Sequence, residues 1–77
     1  MHIEILGAGC PKCETTESNV RAAVDSLGID ATVEKVTDQT TITERGVLQT
    51  PAVAVDGEVV VSGSVPPVGR LESILSG

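Results

Sequence analysis

The 77-residue chain contains no Phe, Tyr or Trp. Its core must therefore come from Val, Ile, Leu and Ala, whose short and often β-branched side chains suit a strand-rich, closely spaced α/β packing. Without aromatic rings there is no platform on which nucleic-acid bases could stack. Basic residues are scarce as well: five Lys and Arg stand against eleven Asp and Glu, a formal net charge of -6. Nucleic acids and anionic lipids bind chiefly through clusters of Lys and Arg, so neither is expected as a partner. The opening residues, Met1-His2-Ile3-Glu4-Ile5-Leu6, lack the basic start and long apolar segment of a signal peptide, and no later segment could span a bilayer. The expected compartment is the cytoplasm. There are only two cysteines and one histidine. A Cys10–Cys13 bridge would close too short a loop to constrain much unfolded chain, so the pair reads as reactive thiols or metal ligands and not as a structural staple.

What is present is regularly punctuated. Ile3, Ile5 and Leu6 form an apolar run ending at Gly7-Ala8-Gly9, which predicts a buried strand and a tight loop that delivers Cys10. From Pro11 onward Cys13, Thr16, Val20, Ala23, Val24 and Leu27 recur at helical spacing, with Glu14, Glu17, Arg21 and Asp25 on the other faces. Pro11 suits the first helical turn and Gly28 a left-handed cap at the far end. Residues 31–36 alternate well enough for a second strand, parallel to the first because a helix joins them. Asp38 is placed to cap a short helix running to about Arg45 by accepting from backbone N–H groups. Ala52-Val53-Ala54-Val55 and Glu58-Val59-Val60-Val61 flank Asp56-Gly57, a two-residue turn whose positive φ angles match the twist of an antiparallel hairpin. A last helix starts near Pro67, with Val68, Leu71, Ile74 and Leu75 on one face. The order β-α-β-α-β-β-α contains no repeat or long linker and describes one α/β domain over residues 1–77, with helices on the faces of a single mixed sheet.

The chemistry sits at Cys10-Pro11-Lys12-Cys13. Thiols at a helix N-terminus meet unpaired N–H groups and the positive end of the helix dipole, which favour the thiolate. Cys10, at the helix mouth, is expected to be the exposed nucleophile. Cys13, one turn in, is expected to resolve the mixed disulfide by attacking Cys10. Soft metals use the same C-x-x-C spacing, so binding of Cu(I) or zinc by a metallochaperone module is the competing reading. Small metallochaperones run βαββαβ, however, and His2 is read as an exposed terminal side chain.

The element order, the Cys10–Cys13 motif after the first strand and Thr50-Pro51 just before the hairpin together resemble the thioredoxin/glutaredoxin superfamily over almost the whole chain. The resemblance is closest to the short thioredoxin-like redox-active disulfide proteins of prokaryotes. It implies a thioredoxin-like (glutaredoxin-like) domain with a four-stranded mixed sheet, and thiol-disulfide oxidoreductase activity through a redox-active Cys10–Cys13 pair. It also implies no bound cofactor or metal. Pro51 would be cis and face the cysteines, with Thr50 beside it to pair with an extended substrate segment. Glu4 stands six residues before Cys10, where thioredoxins place a buried carboxylate that moves protons to and from the resolving thiol. The implied partners are disulfide substrates and a thioredoxin-reductase-like or dithiol electron donor, acting on a monomer. Two departures stand out. Gly9 replaces the aromatic residue common before the first cysteine, and Ser64-Val65-Pro66-Pro67 lacks the acidic residue of glutaredoxins, which argues against glutathione specificity.

Overall fold

A computed structural model describes residues 1–76. Its elements follow the expected order: β1 (His2–Leu6), α1 (Pro11–Leu27), β2 (Thr32–Val36), α2 (Gln39–Glu44), β3 (Ala52–Val55), β4 (Glu58–Ser62) and α3 (Val68–Ser76). The four strands form one sheet in the order β2-β1-β3-β4. β1 runs parallel to β2 and antiparallel to β3, and β3 and β4 form the antiparallel hairpin. The sheet is therefore mixed and four-stranded, as the chain's pattern predicts.

Side chains alternate across the sheet and divide the core in two. Ile3, Ile5, Val53 and Val61 pack with Val20 and Ala23 of α1 and with Leu71 and Leu75 of α3. On the opposite face Leu6, Ala52 and Ala54 meet Ile42 of α2 and Val47. The two helices on the first face are joined by polar contacts, Ser26 Oγ to Glu72 Oε2 at 2.6 Å and Asn19 Nδ2 to the Pro66 carbonyl at 2.9 Å. At the hairpin Asp56 and Gly57 hold φ of 50° and 88°. The Asp56 N–H donates to the His2 carbonyl at 2.7 Å and its carboxylate accepts from the His2 N–H at 2.8 Å, so the turn is fastened to the start of β1. A bulge interrupts the β3–β4 register between Val53 and Ala54.

One local expectation is corrected. Asp38 stands at the N-cap of α2 but its side chain makes no capping bond to the backbone. The carboxylate instead accepts from the Thr41 hydroxyl at 2.8 Å. A threonine one turn ahead competes with the backbone for the same acceptor.

The sheet face under α2 also carries a buried charge. Glu4 is 6 % exposed, and both carboxylate oxygens accept from the guanidinium of Arg45, at 2.6 and 2.8 Å. This bidentate geometry is the strong form of the interaction. It joins the middle of β1 to the C-cap of α2. The Arg45 hydrogen bonds hold the Glu4 carboxyl below its ordinary value of 4.5, against the opposing effect of burial. A lowered carboxylate pKa adds stability that is complete above the ordinary value and is lost as pH falls through the folded-state value. Arg45→Met is thus expected to cost about 1–3 kcal/mol at neutral pH, by leaving a buried carboxylate unpaired. In urea denaturation that deficit should shrink as pH falls from the ordinary carboxylate pKa through the lowered folded-state value, where Glu4 is protonated in the parent as well and the pair is lost.

Candidate active site

β1 ends at the top of the sheet, and the chain passes through residues 7–9 into α1. Cys10 is the N-cap of α1, with extended backbone (φ -74°, ψ 162°) and Pro11 following it as the first helical residue. Its sulfur accepts from the Cys13 N–H at 3.3 Å, so a thiol fills the capping place usually taken by Ser, Thr, Asp or Asn. Cys10 is half-buried and Cys13 is buried, 2 % exposed, and both are free thiols. One sulfur faces the solvent and the other lies beneath it.

Their acidities diverge accordingly. Cys10 is shifted below the ordinary thiol value by a hydrogen bond from the Cys13 thiol, and next by backbone N–H groups at the helix start. Cys13 is shifted above it, first by burial and then by its hydrogen bond to Cys10. The groups that favour the Cys10 thiolate are an S–H and N–H groups, the donors a helix N-terminus presents.

The Thr50-Pro51 segment arrives from the other side. Its peptide bond is cis. Thr50 lies close to the end of β1 and to Cys13: a Cβ placed on Gly7 would overlap Cys13 Sγ and stand 3.8 Å from Thr50 Cβ. The segment is held by β4, where the Gly63 N–H donates to the Pro51 carbonyl at 3.0 Å and Ser62 Oγ to the Gln49 carbonyl at 3.4 Å. Pro51 is itself fully buried. The structure therefore brings Cys10, Cys13 and Thr50-Pro51 to one end of the sheet. Glu4 lies on the face covered by α2, with both oxygens taken by Arg45, while Cys13 is carried by α1 on the opposite face.

A family model described as a thioredoxin domain matches residues 1–76. The chain belongs to the thioredoxin family. It is 43% identical over 76 residues to a thioredoxin of Methanothermobacter thermautotrophicus, covering 99% of each chain. It is 48% identical over 73 residues to a thioredoxin of Methanocaldococcus jannaschii, covering 95% of this chain and 84% of that one. As a member of this family the chain is a thiol-disulfide oxidoreductase, and its redox-active group is a cysteine pair. The soft-metal reading is not supported. The chain closes on α3 rather than on the final strand of a βαββαβ module, and among the described residues no group of three His, Cys, Asp or Glu side chains is placed to hold an ion.

Two residues beside the thioredoxin site escape sequence reasoning. Gly7, at the end of the first strand, reads there as part of a turn; the structure shows it directly under the Cys13 sulfur. Arg45 is 41 residues from Glu4, and no local pattern pairs them. The acidities of the two thiols are separately measurable. Cys13→Ala removes the thiol that donates to Cys10, so titration of thiolate ultraviolet absorbance is expected to show the Cys10 pKa rising toward the ordinary 9.0. Cys13→Ser keeps a hydroxyl donor and should raise it less. In the parent, limiting alkylation should label Cys10 before Cys13.

Proposed function

We propose that this thioredoxin reduces disulfides of proteins or small molecules in the cytoplasm, with Cys10 as nucleophile and Cys13 as resolving thiol, and that residues 1–77 act as one domain. The observation that carries the reading is the inequality of the two sulfurs: Cys10 is accessible and shifted toward thiolate, whereas Cys13 is buried and shifted toward thiol. In the first step the Cys10 thiolate attacks one sulfur of the substrate disulfide. A Cys10–substrate bond forms, the substrate S–S bond breaks, and one substrate thiolate departs. In the second step Cys13 loses its proton and attacks Cys10 Sγ. The Cys10–Cys13 disulfide closes as the second substrate thiolate leaves. The substrate has gained two electrons and, on protonation, two protons, and the enzyme has lost them. A thioredoxin-reductase-like flavoprotein or a dithiol donor returns the electrons.

Thr50 and Pro51 are read as the substrate-binding edge. The Thr50 backbone would supply a strand-like partner for an extended segment that carries the substrate disulfide, a reading supported by the closeness of the Thr50 side chain to Gly7, against which Cys13 also rests. The Gly63 N–H is already occupied by the Pro51 carbonyl, and the following Ser64-Val65-Pro66-Pro67 offers no acidic side chain, which disfavours glutathione as the dedicated partner. We read Glu4 as a structural tie through Arg45, in place of the proton relay that its spacing suggests. A net charge of -6 favours basic or neutral substrate surfaces over nucleic acid, and the enzyme needs no bound cofactor, metal or second subunit for this cycle.

The test is a pair of single substitutions assayed by insulin reduction with a dithiol donor. Cys10→Ser is expected to abolish turnover. Cys13→Ser is expected to accumulate a mixed disulfide through Cys10, identified by mass spectrometry and released by excess dithiol. Trapping by Cys10→Ser instead would exchange the two roles, and trapping by neither would remove the mechanism.

A further inference from the structure

We propose that Gly7 is a positioning residue for the resolving step: by carrying no side chain it forms the seat in which the Cys13 sulfur rests within reach of Cys10. This rests on the reading of Cys13 as the resolving thiol. Gly7 is not among the glycines with positive φ, so its backbone conformation is open to other residues and the need for glycine lies in space. A Cβ built there would overlap Cys13 Sγ and stand 3.2 Å from Cys13 Cβ. By contrast Gly63, whose Cβ would also meet a neighbour, has φ of 80° and faces the flexible end of Gln49. Among the described glycines only Gly7 has one of the two sulfurs as the obstructed atom.

Neither side of the seat can yield easily. The Gly7 N–H donates to the Val36 carbonyl at 2.9 Å, which extends the β1–β2 pairing by one residue and pins the backbone. Across from it the first turn of α1 is fixed by the Cys13 N–H to the Cys10 carbonyl at 2.9 Å and by the Thr16 hydroxyl to the Lys12 carbonyl at 2.8 Å. Thr16 is itself fully buried. A methyl group at position 7 therefore has two outlets: α1 lifts, or the Cys13 side chain turns to another rotamer. Either moves the sulfur that must attack Cys10 in line with the departing thiolate. Cys10 at the solvent-facing end of the turn keeps its N–H donors and its access to substrate; losing the Cys13 S–H donor changes how readily it ionises but not its reach once ionised. The two chemical steps are thus separable at a residue that touches neither substrate nor Cys10.

The experiment uses the full chain with Gly7→Ala, Cys13→Ala and the double variant. With a small aromatic disulfide as probe, rapid acid quench and mass spectrometry follow formation and decay of the Cys10 mixed disulfide. With parent and Gly7→Ala compared at a pH above the ordinary thiol value, so that Cys10 is ionised in both, the first attack should change less than about twofold, while decay of the mixed disulfide slows about tenfold or more, the scale expected for ångström-level misplacement of a reacting atom. Resolution slowed by less than that, or attack slowed as much as resolution, overturns the proposal. Denaturation midpoints supply an independent arm. Gly7→Ala should lower the midpoint in the parent by at least twice what it does in the Cys13→Ala background, where the sulfur is gone. The effect of the methyl group on the unfolded chain is common to both backgrounds and cancels. Equal losses overturn the proposal. Should Gly7→Ala alone fail to fold, recovery of folding in the double variant supports the seat and failure of both overturns it. If Cys13→Ser traps nothing in the parent, it is the role of Cys13 that fails, and the midpoints still decide whether the seat exists.

Discussion

The redox pair depends on one hydrogen-bonding constraint: at the start of α1 the Cys13 N–H is shared between the carbonyl of Cys10 at 2.9 Å and its sulfur at 3.3 Å. A helix beginning leaves several N–H groups without intrahelical partners, and a side-chain oxygen normally accepts from one of them. Sulfur is a weaker acceptor as a thiol than as a thiolate, so an N–H shared with it at the helix start favours ionisation of Cys10. Fold and reactivity are coupled at a single atom. Pro11 fits the arrangement because it occupies a position whose N–H would have had no partner within the helix.

That atom is useful only because the sheet carries it to the right place with small side chains. In a core without aromatic rings, Ile3, Ile5 and Val53 pack against Val20 and Ala23, and Ala52 and Ala54 leave room for Ile42 and Val47 on the other face. A domain this short buries a limited fraction of its surface, so individual polar ties carry weight. Three of them converge on the functional end or its supports: Arg45 to Glu4 steadies the exit of α2, Gly63 to Pro51 holds the segment before β3, and Asn19 to Pro66 fixes α1 relative to the entry of α3.

Much of this architecture is legible in the sequence because it is written in local signals. The Asp56-Gly57 turn, the 3.6-residue recurrence from Cys13 to Leu27 and the Pro11 and Gly28 boundaries each follow from the conformations those residues permit, and the elements fall close to where these signals place them. The cysteine pair is legible by spacing, and Thr50-Pro51 by its position before the hairpin. What local patterns do not reveal is pairing across the fold. Arg45 and Glu4 are separated by 41 residues, and their contact exists only once α2 folds over β1. The same holds for Gly7, whose meaning comes from a helix laid over it, and for Asp38, where Thr41 takes the carboxylate expected to serve the backbone. The bulge in the hairpin is likewise hidden, because Val59-Val60-Val61 offers three similar residues and alternation alone does not choose which one is left over.

The unequal acidities of the two thiols also bear on how a buried, reluctant thiol can act as the second nucleophile. Burial, the hydrogen bond to Cys10 and the charge of Cys10 all raise the Cys13 pKa in the dithiol state. In the mixed disulfide of the proposed cycle the charge of Cys10 is gone, and a divalent sulfur is a poorer acceptor than a thiolate, so two of these three influences fall away together. Burial alone still opposes ionisation, and the Cys10 and Gly9 backbone groups that favour it remain. The thiolate leaving the substrate is a base released within the same site and can accept the proton. In the proposed cycle the raised Cys13 pKa favours its protonated form in the dithiol state, and the first step removes part of what raises it. In the proposed cycle the order of the two steps follows from this coupling, because the charge of Cys10 opposes ionisation of Cys13 until the first step removes it.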